Sequence, residues 1–260
     1  MYSKKESLDK FYTKESVATN CIKQLRLIDY DLVIEPSAGN GAFSNNIKHK
    51  NLVSLDLEPE NPAIIKMDWF DYTPTDINKK ILVIGNPPFG IRNKLSKAFI
   101  EHSLKFANTI AMILPNVYNK HTLQKIFPKD WRLKKVVRIP ENSFEINGEE
   151  YCVPCTFYVF DKSEGVNLMF KESLYLTSPD FEWSNSKDAD WFVMGASPKT
   201  VKALNEVQPT NRGYYIKSTG ISKELLKEKF ENTYWDGNSS ANGGVSWLTK
   251  PEIIKSYNGE

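Results

Sequence analysis

The chain has 260 residues, 40% of them hydrophobic and 25% charged, with 34 Lys/Arg against 32 Asp/Glu and a net charge of +2. Those values describe an ordinary globular protein of one to two domains and exclude disordered, collagen-like and membrane-spanning classes. No apolar run nears the ~18 residues of a spanning helix, the Met1 to Glu6 start does not read as a secretory signal, and three cysteines build no framework of bridges, so a soluble, cytoplasmic protein is expected.

Taken in chain order, Thr13 is placed to cap a helix over Lys14–Leu27, where Val17, Cys21, Ile22 and Leu25 share one face. Short apolar runs then predict strands at Asp31–Pro36, Leu52–Leu57, Ile64–Met67, Ile81–Gly85, Thr109–Leu114, Lys135–Ile139 and Thr156–Asp161. Their alternation with helical stretches predicts an α/β domain on a mostly parallel sheet. The last two strands lie close together in sequence and are expected to pair antiparallel. The alternation ends near Ser163-Glu164-Gly165, which divides a domain over 1–162 from a small mixed region over 163–260. In that region a strand is expected at Val166–Phe170, a helix at Pro198–Val207, a strand at Tyr214–Lys217 and a helix at Ser222–Asn232. Asp236 to Gly244 reads as a flexible loop.

Two motifs carry chemistry. The first is Glu35-Pro36-Ser37-Ala38-Gly39-Asn40-Gly41-Ala42-Phe43 at the end of the first strand. Its glycines allow a tight turn and close approach of a ligand to the backbone, at the sheet edge where α/β proteins bind ligands. The next strand ends in Asp56-Leu57, and an acid there can accept both hydroxyls of a ribose. The third run ends in Asp68-Trp69, an acid beside an aromatic, suited to an exocyclic amine and a flat ring. The second motif is Asn86-Pro87-Pro88-Phe89, directly after the Ile81–Gly85 strand. Its prolines remove two donors and stiffen the turn. An Asn side-chain oxygen and a free carbonyl then form two acceptors aimed at one NH₂ group. Phe89 offers a face to a planar ring or to a sulfonium cation.

Together these motifs, over residues 10–162, resemble the S-adenosylmethionine-dependent amino-methyltransferases, most closely the N6-adenine enzymes whose cofactor motif precedes the catalytic one. The resemblance implies a Rossmann-like sheet of seven strands with the last antiparallel. It implies that Thr13, the turn Glu35, Pro36, Ser37, Ala38, Gly39 and Gly41, Asp56 with Leu57, Asp68 with Trp69, and Asn86 hold S-adenosylmethionine. Asn86, Pro87, Pro88 and Phe89 would form the catalytic loop, and Phe144 would stack on a flipped base. The implied reaction is methylation of adenine N6 in nucleic acid, DNA first and RNA second. A protein glutamine amide, which presents the same NH₂ group, and a non-catalytic role in a larger complex are the other readings. The implied partners are nucleic acid and a second subunit or copy, with no membrane and no metal.

Each feature also has a plainer reading. Thr13 serves as a helix cap whatever else it does, Trp69 and Phe144 equally suit a core, and Asp56 and Asp68 suit turns. Cys152-Val153-Pro154-Cys155 has no second pair and no histidine nearby, so a buried structural Cys155 is expected. Lys120 to Arg138 holds seven basic residues and one acid; Lys134 and Lys135 there contact phosphate, or else the stretch is a solvated face. Residues 163–260 carry 11 basic against 13 acidic residues, which does not suit a dominant phosphate clamp.

Overall fold

Strand β5 (Ile81–Gly85) is buried along its whole length, as is β6 (Thr109–Pro115). Unbroken apolar runs of this kind form where a parallel strand is covered on both faces. Side chains alternate about the sheet: Ile81 and Val83 join one cluster with Ile34, Phe99, Ile110 and Trp131. Leu82 and Ile84 join a second with Val17, Cys21, Phe43 and Phe157 on the other face. The computed structural model describes residues 11–146, 148–171, 174–235 and 247–259. It divides into two compact units, Met1–Met169 and Phe170–Glu260.

In chain order, the first unit has β1 (Tyr12–Thr13), α1 (Glu15–Ile22), β2 (Leu32–Glu35), β3 (Leu52–Asp56), β4 (Ile65–Lys66) and β5, then α2 (Lys94–Ser103) and β6. It closes with α3 (His121–Gln124), β7 (Arg132–Arg138), β8 (Phe144–Ile146), β9 (Glu149–Tyr151) and β10 (Cys155–Asp161). The main sheet has seven strands in the order β4-β3-β2-β5-β6-β10-β7. From β4 through β6 neighbouring strands pair parallel, while β10 runs antiparallel to both β6 and β7. This is the Rossmann-like sheet with an antiparallel last strand that the motifs imply. Strand order reverses at β2, whose neighbours are β3 and β5, so the turns after β2 and β5 flank the crevice where such sheets receive ligands. A second sheet, β1-β8-β9, pairs Thr13 with Phe144.

Thr13 is therefore a strand residue rather than the expected helix cap. Antiparallel pairing and the Lys14 amide bond to the Ser143 carbonyl, 3.0 Å, draw the segment into the small sheet. Helix α1 starts one residue past Lys14, with no side-chain cap. The chain after β2 forms turns, with Asn45 and Ile47 amides bonding to the Gly41 and Phe43 carbonyls but no continuous helix.

The second unit has β11 (Phe181–Ser184), β12 (Trp191–Met194), β13 (Ser197–Lys202), β14 (Gly213–Ser218), α4 (Lys223–Asn232) and α5 (Lys250–Tyr257). Its antiparallel sheet runs β11-β14-β12-β13, and Phe181, Val193 and Ile216 meet Leu226, Phe230 and Ile254 of the helices. Ser222 caps α4 by accepting from the Leu225 amide, and a Thr249–Glu252 capping box starts α5. The helix expected at Pro198–Val207 is absent. Its first part is β13, where Val201 opposes Val193, and a 3-10 turn at Leu204–Glu206 follows. β-branched Thr200 and Val201 favour the pleated surface once a partner strand is available. Nor is Val166–Phe170 a strand. Asn167 Oδ1 accepts from the Leu133 and Met169 amides, so a side chain takes the ladder position. The loop expected at Asp236 to Gly244 lies outside the described residues.

Trp69, 1% exposed, lies at the centre of the first cluster, with its ring within 6.3 Å of Tyr72 and Phe99 and edge-on to Phe106. Trp69→Ala is expected to cost about 3–5 kcal/mol through lost burial and a residual cavity. Denaturant unfolding measures this; a change below about 1 kcal/mol would remove Trp69 from the core described here.

Candidate active site

The turn after β2 is built around Glu35 and two glycines. Glu35, the last residue of the strand, is 1% exposed, and its Oε2 meets no hydrogen-bond partner. Burial pushes its carboxyl up to about 8, and the Asp56 charge adds in the same direction. Gly39 has φ +55° and Gly41 φ +94°, both left-handed. A Cβ on Gly41 would come within 2.8 Å of the Asn45 side chain, and one on Gly39 within 3.2 Å of the Tyr12 ring. Only glycine fits both the backbone angle and the space.

Asp56, at the end of β3, holds this turn. Its Oδ2 accepts from the Gly39 amide and its Oδ1 from the Glu58 amide, both at 2.8 Å. The Gly39 carbonyl accepts from the Glu60 amide at 3.1 Å, and Tyr12 donates its hydroxyl to the Glu60 carboxylate. Asp68 accepts from the Phe70 amide at 2.9 Å and caps the short turn after β4. Leu57 is 46% exposed beside Asp56. Trp69 faces the core instead of the crevice, a correction to its expected contact with a ligand ring; the surface aromatic next to Asp68 is Phe70, 36% exposed.

The turn after β5 stands beside the first. Ser37 Oγ donates to the Asn86 carbonyl at 2.9 Å, which links the two motifs directly. Asn86 Nδ2 donates to the Phe11 carbonyl at 3.4 Å, while its Oδ1 is buried with no partner. Pro87 is buried and Phe89 is 8% exposed. Phe144 is 0% exposed and meets Phe89 edge-on at 6.5 Å. It supports the loop from beneath; as placed here it has no free face for an incoming base. The accessible rings are ones that the motifs did not single out: Phe11 lies at 6.3 Å from Phe89, and Tyr151, 43% exposed, stacks on Phe11 at 4.7 Å. Phe11 shares its segment with Thr13, but only the pairing of β1 with β8 brings it to the catalytic turn.

Lys134 and Lys135 stand apart from this cluster. They lie in the first half of β7, level with the start of β6, and donate to the Glu164 and Gln24 carbonyls. Their expected phosphate contact beside the catalytic loop does not fit that position; Arg138, exposed at the far end of β7, lies nearer the carboxyl ends of the strands. Cys155 is buried, which pushes its thiol up, and Cys152 is exposed. Among the described residues no cluster of His, Cys, Asp and Glu could hold a metal, and no helix is long and apolar enough to cross a membrane.

No family model and no curated protein matches the chain. Among solved structures, a proposed RNA methyltransferase from Pyrococcus horikoshii is 14% identical, aligned over 60% of this chain and 87% of its own, with TM-score 0.47. The modification subunit of a proposed type I restriction enzyme from Vibrio vulnificus YJ016 is 13% identical over 95% of this chain, with TM-score 0.47, and the chain spans 61% of that subunit. The 23S rRNA methyltransferase ErmE is 12% identical over 95% of this chain and 98% of its own, with TM-score 0.42. The strand order above, not these likenesses, defines the fold.

Glu35 makes the site sensitive to pH. Its native form keeps a proton that the unfolded chain releases above the ordinary carboxylate range, so the native state binds more protons in between. Stability is therefore highest below that range and falls as pH rises towards about 8. Glu35→Gln is expected to flatten the decline of Tm between about pH 5 and about pH 8. Scanning calorimetry across that interval measures it, and parallel profiles for the two proteins would contradict the assignment.

Proposed function

We propose that the protein transfers a methyl group from S-adenosylmethionine to the N6 amine of adenine in nucleic acid, DNA before RNA. The observation that carries this reading is the buried, unpartnered Asn86 Oδ1 in a proline-stiffened turn at the switch point of the sheet, with the Pro87 carbonyl next in sequence. A buried acceptor left open costs free energy unless a ligand satisfies it. An NH₂ group is the donor whose two protons match two such acceptors.

The residues fit the cofactor. Gly39 and Gly41 keep the turn free of side chains, and Glu35 Oε2 is a second open polar atom within it. Asp56 has two of its roughly four lone-pair sites occupied by amides, which fix the carboxylate and leave capacity for two ribose hydroxyls. Asp68 would accept from the adenine amine of the cofactor, with Leu57 and Phe70 supplying apolar surface. Thr13 and the turn from Glu35 to Ala38 would hold its methionine end. The cofactor supplies an activated methyl on a positive sulfur.

The protein's contribution is acceptance and alignment. The target amine is a weak nucleophile because its lone pair is delocalised into the ring. Asn86 Oδ1 and the Pro87 carbonyl accept its protons, favour a pyramidal nitrogen and stabilise the positive charge that develops there. Pro87 and Pro88 hold these acceptors still, so alignment costs little when substrate binds. Phe89, with Phe11 and Tyr151 beside it, supplies the planar faces against which a displaced base rests.

A product assay with methyl-deuterated S-adenosylmethionine tests the reading. Duplex DNA, single-stranded DNA and RNA are offered separately, digested to nucleosides and searched for labelled N6-methyladenine nucleosides by mass spectrometry. Label in one polymer is expected; none in any, with cofactor binding intact, would overturn it and favour a protein amide substrate or a non-catalytic role. Asn86→Ala should abolish transfer while the cofactor Kd stays within about threefold, since it removes a contact to the reacting amine. Asp56→Ala should raise that Kd at least about tenfold by calorimetry, the loss of a charge-assisted contact. An unchanged Kd would detach Asp56 from the cofactor.

A further inference from the structure

Among the described residues, Arg92 and Asn93 are the only ones other than glycine with positive φ, at 55° and 61°, and both follow the catalytic turn directly. Asparagine tolerates this conformation; arginine rarely adopts it. The surrounding contacts enforce it. The Phe89 carbonyl accepts from the Leu95 and Ser96 amides, the Asn93 amide donates to the Gly90 carbonyl, and Ser96 Oγ donates to the Asn93 carbonyl. Asn93 is 7% exposed, and a Cβ on Gly90 would approach Leu95 Cβ to 2.9 Å, so the loop is pinned at both ends.

What the loop presents is a pair of unlike side chains. Ile91 is 64% exposed, and Arg92 is exposed with no hydrogen bond or ion pair to any described residue. Between Asp76 and Glu101 the chain carries Lys79, Lys80, Arg92, Lys94 and Lys97 and no acid. Lys94 and Lys97 stand in the first turns of α2, where the helix dipole disfavours cations. A rigid apolar tip flanked by unpaired positive charge, a few residues past the open Asn86 Oδ1, fits a polyanion whose interior is a stack of flat rings.

We propose that the Gly90–Asn93 loop opens a nucleic-acid duplex: Ile91 enters the base stack where the target adenine has left, and Arg92, backed by Lys94 and Lys97, holds the flanking phosphates. This rests on the methyl-transfer reading of the neighbouring turn. Apolar wedges between base steps are a known way to stabilise unstacked DNA, and a guanidinium pairs with phosphate in a forked geometry. Ile91 thus acts on the cost of extracting the base and not on the chemistry that follows. Arg92 acts on duplex affinity.

The test compares Ile91→Ala and Arg92→Gly with the wild type on three substrates: matched duplex, the same duplex with an abasic site opposite the target adenine, and the single strand. Ile91→Ala should slow methylation of the matched duplex about tenfold or more, yet stay within about threefold of wild type on the other two, where little unstacking remains to be paid. Equal rates on the matched duplex, or an equal loss on all three, would overturn the wedge. Arg92→Gly should lower the slope of log affinity against log salt by about one and raise Tm by about 2 °C as the left-handed residue becomes glycine. An unchanged slope removes the phosphate contact, and a fall in Tm removes the argument from strain. Should the wild type methylate no polymer, the methyl-transfer reading fails by itself. Fluorescence anisotropy of matched and abasic duplexes then decides the loop: wild-type binding weakened by Ile91→Ala on the matched duplex alone supports it, and no duplex binding overturns it.

Discussion

Parallel pairing of β2 with β5, residue Ile34 against Val83, is the contact on which the candidate site depends. The two strands are separated by almost fifty residues of sequence, and each ends in a turn with its own unusual backbone. Side by side, they bring Ser37 to the Asn86 carbonyl and leave Glu35 and Asn86 each with a buried oxygen open. The full burial of β5 makes the register costly to slip, because a shift of one residue would exchange Ile81 and Val83 with Leu82 and Ile84 across the sheet. Both faces are apolar, so register is held less by polarity than by the shapes of the two clusters. The polar chemistry is then confined to the strand ends.

The site combines a rigid frame with unsatisfied groups. Asp56 is tied to two amides and Asn86 Nδ2 to the Phe11 carbonyl, so neither side chain is free to reorient. Glu35 Oε2 and Asn86 Oδ1 are instead held open in a protein-lined space, where each lost hydrogen bond costs about 1–3 kcal/mol. Arg92 adds about 1–2 kcal/mol for its left-handed backbone. A structure under selection for stability alone would relieve all three by single substitutions. Their grouping within one loop cluster is what singles out this edge of the first unit.

Much of this was legible in the amino-acid order, and the failures have identifiable causes. Most of the seven sheet strands were readable because they are short apolar runs, and the central ones are apolar on both faces; the edge strand β7, RLKKVVR, was legible only through its Val136-Val137 pair. Gly39, Gly41 and the Asn86–Phe89 turn were readable because their residue types are dictated by backbone shape and missing donors. Thr13 misled because the same residue type favours a helix cap or a strand, and the choice lay with a β8 segment 130 residues away. Trp69 misled because adjacency to Asp68 says nothing of direction; the short turn capped by Asp68 sends Trp69 inward and Phe70 outward. In the second unit, the first part of Pro198–Val207, expected as a helix, becomes the edge strand β13 because β12 offers a partner. Phe11 and Tyr151 had no local signal at all, since their stacking exists only once β1, β8 and β9 are assembled.

The distribution of charge follows from the same frame. Lys134 and Lys135 made the basic stretch conspicuous in sequence, yet β7 is the sheet edge, and their positions near its start turn them towards carbonyls of Glu164 and Gln24. Amines engaged in this way contribute to holding chain segments together and have less to offer a mobile polyanion. Arg92 and Arg138 were the less obvious cations: one between Ile91 and Asn93 in a short loop, the other last in its strand. Both lie at the ends of elements that run towards the crevice. In a parallel sheet the end of a strand, more than the local density of lysine, decides which charge can meet a ligand, because ligands are received outside the carboxyl ends of the strands at the switch point.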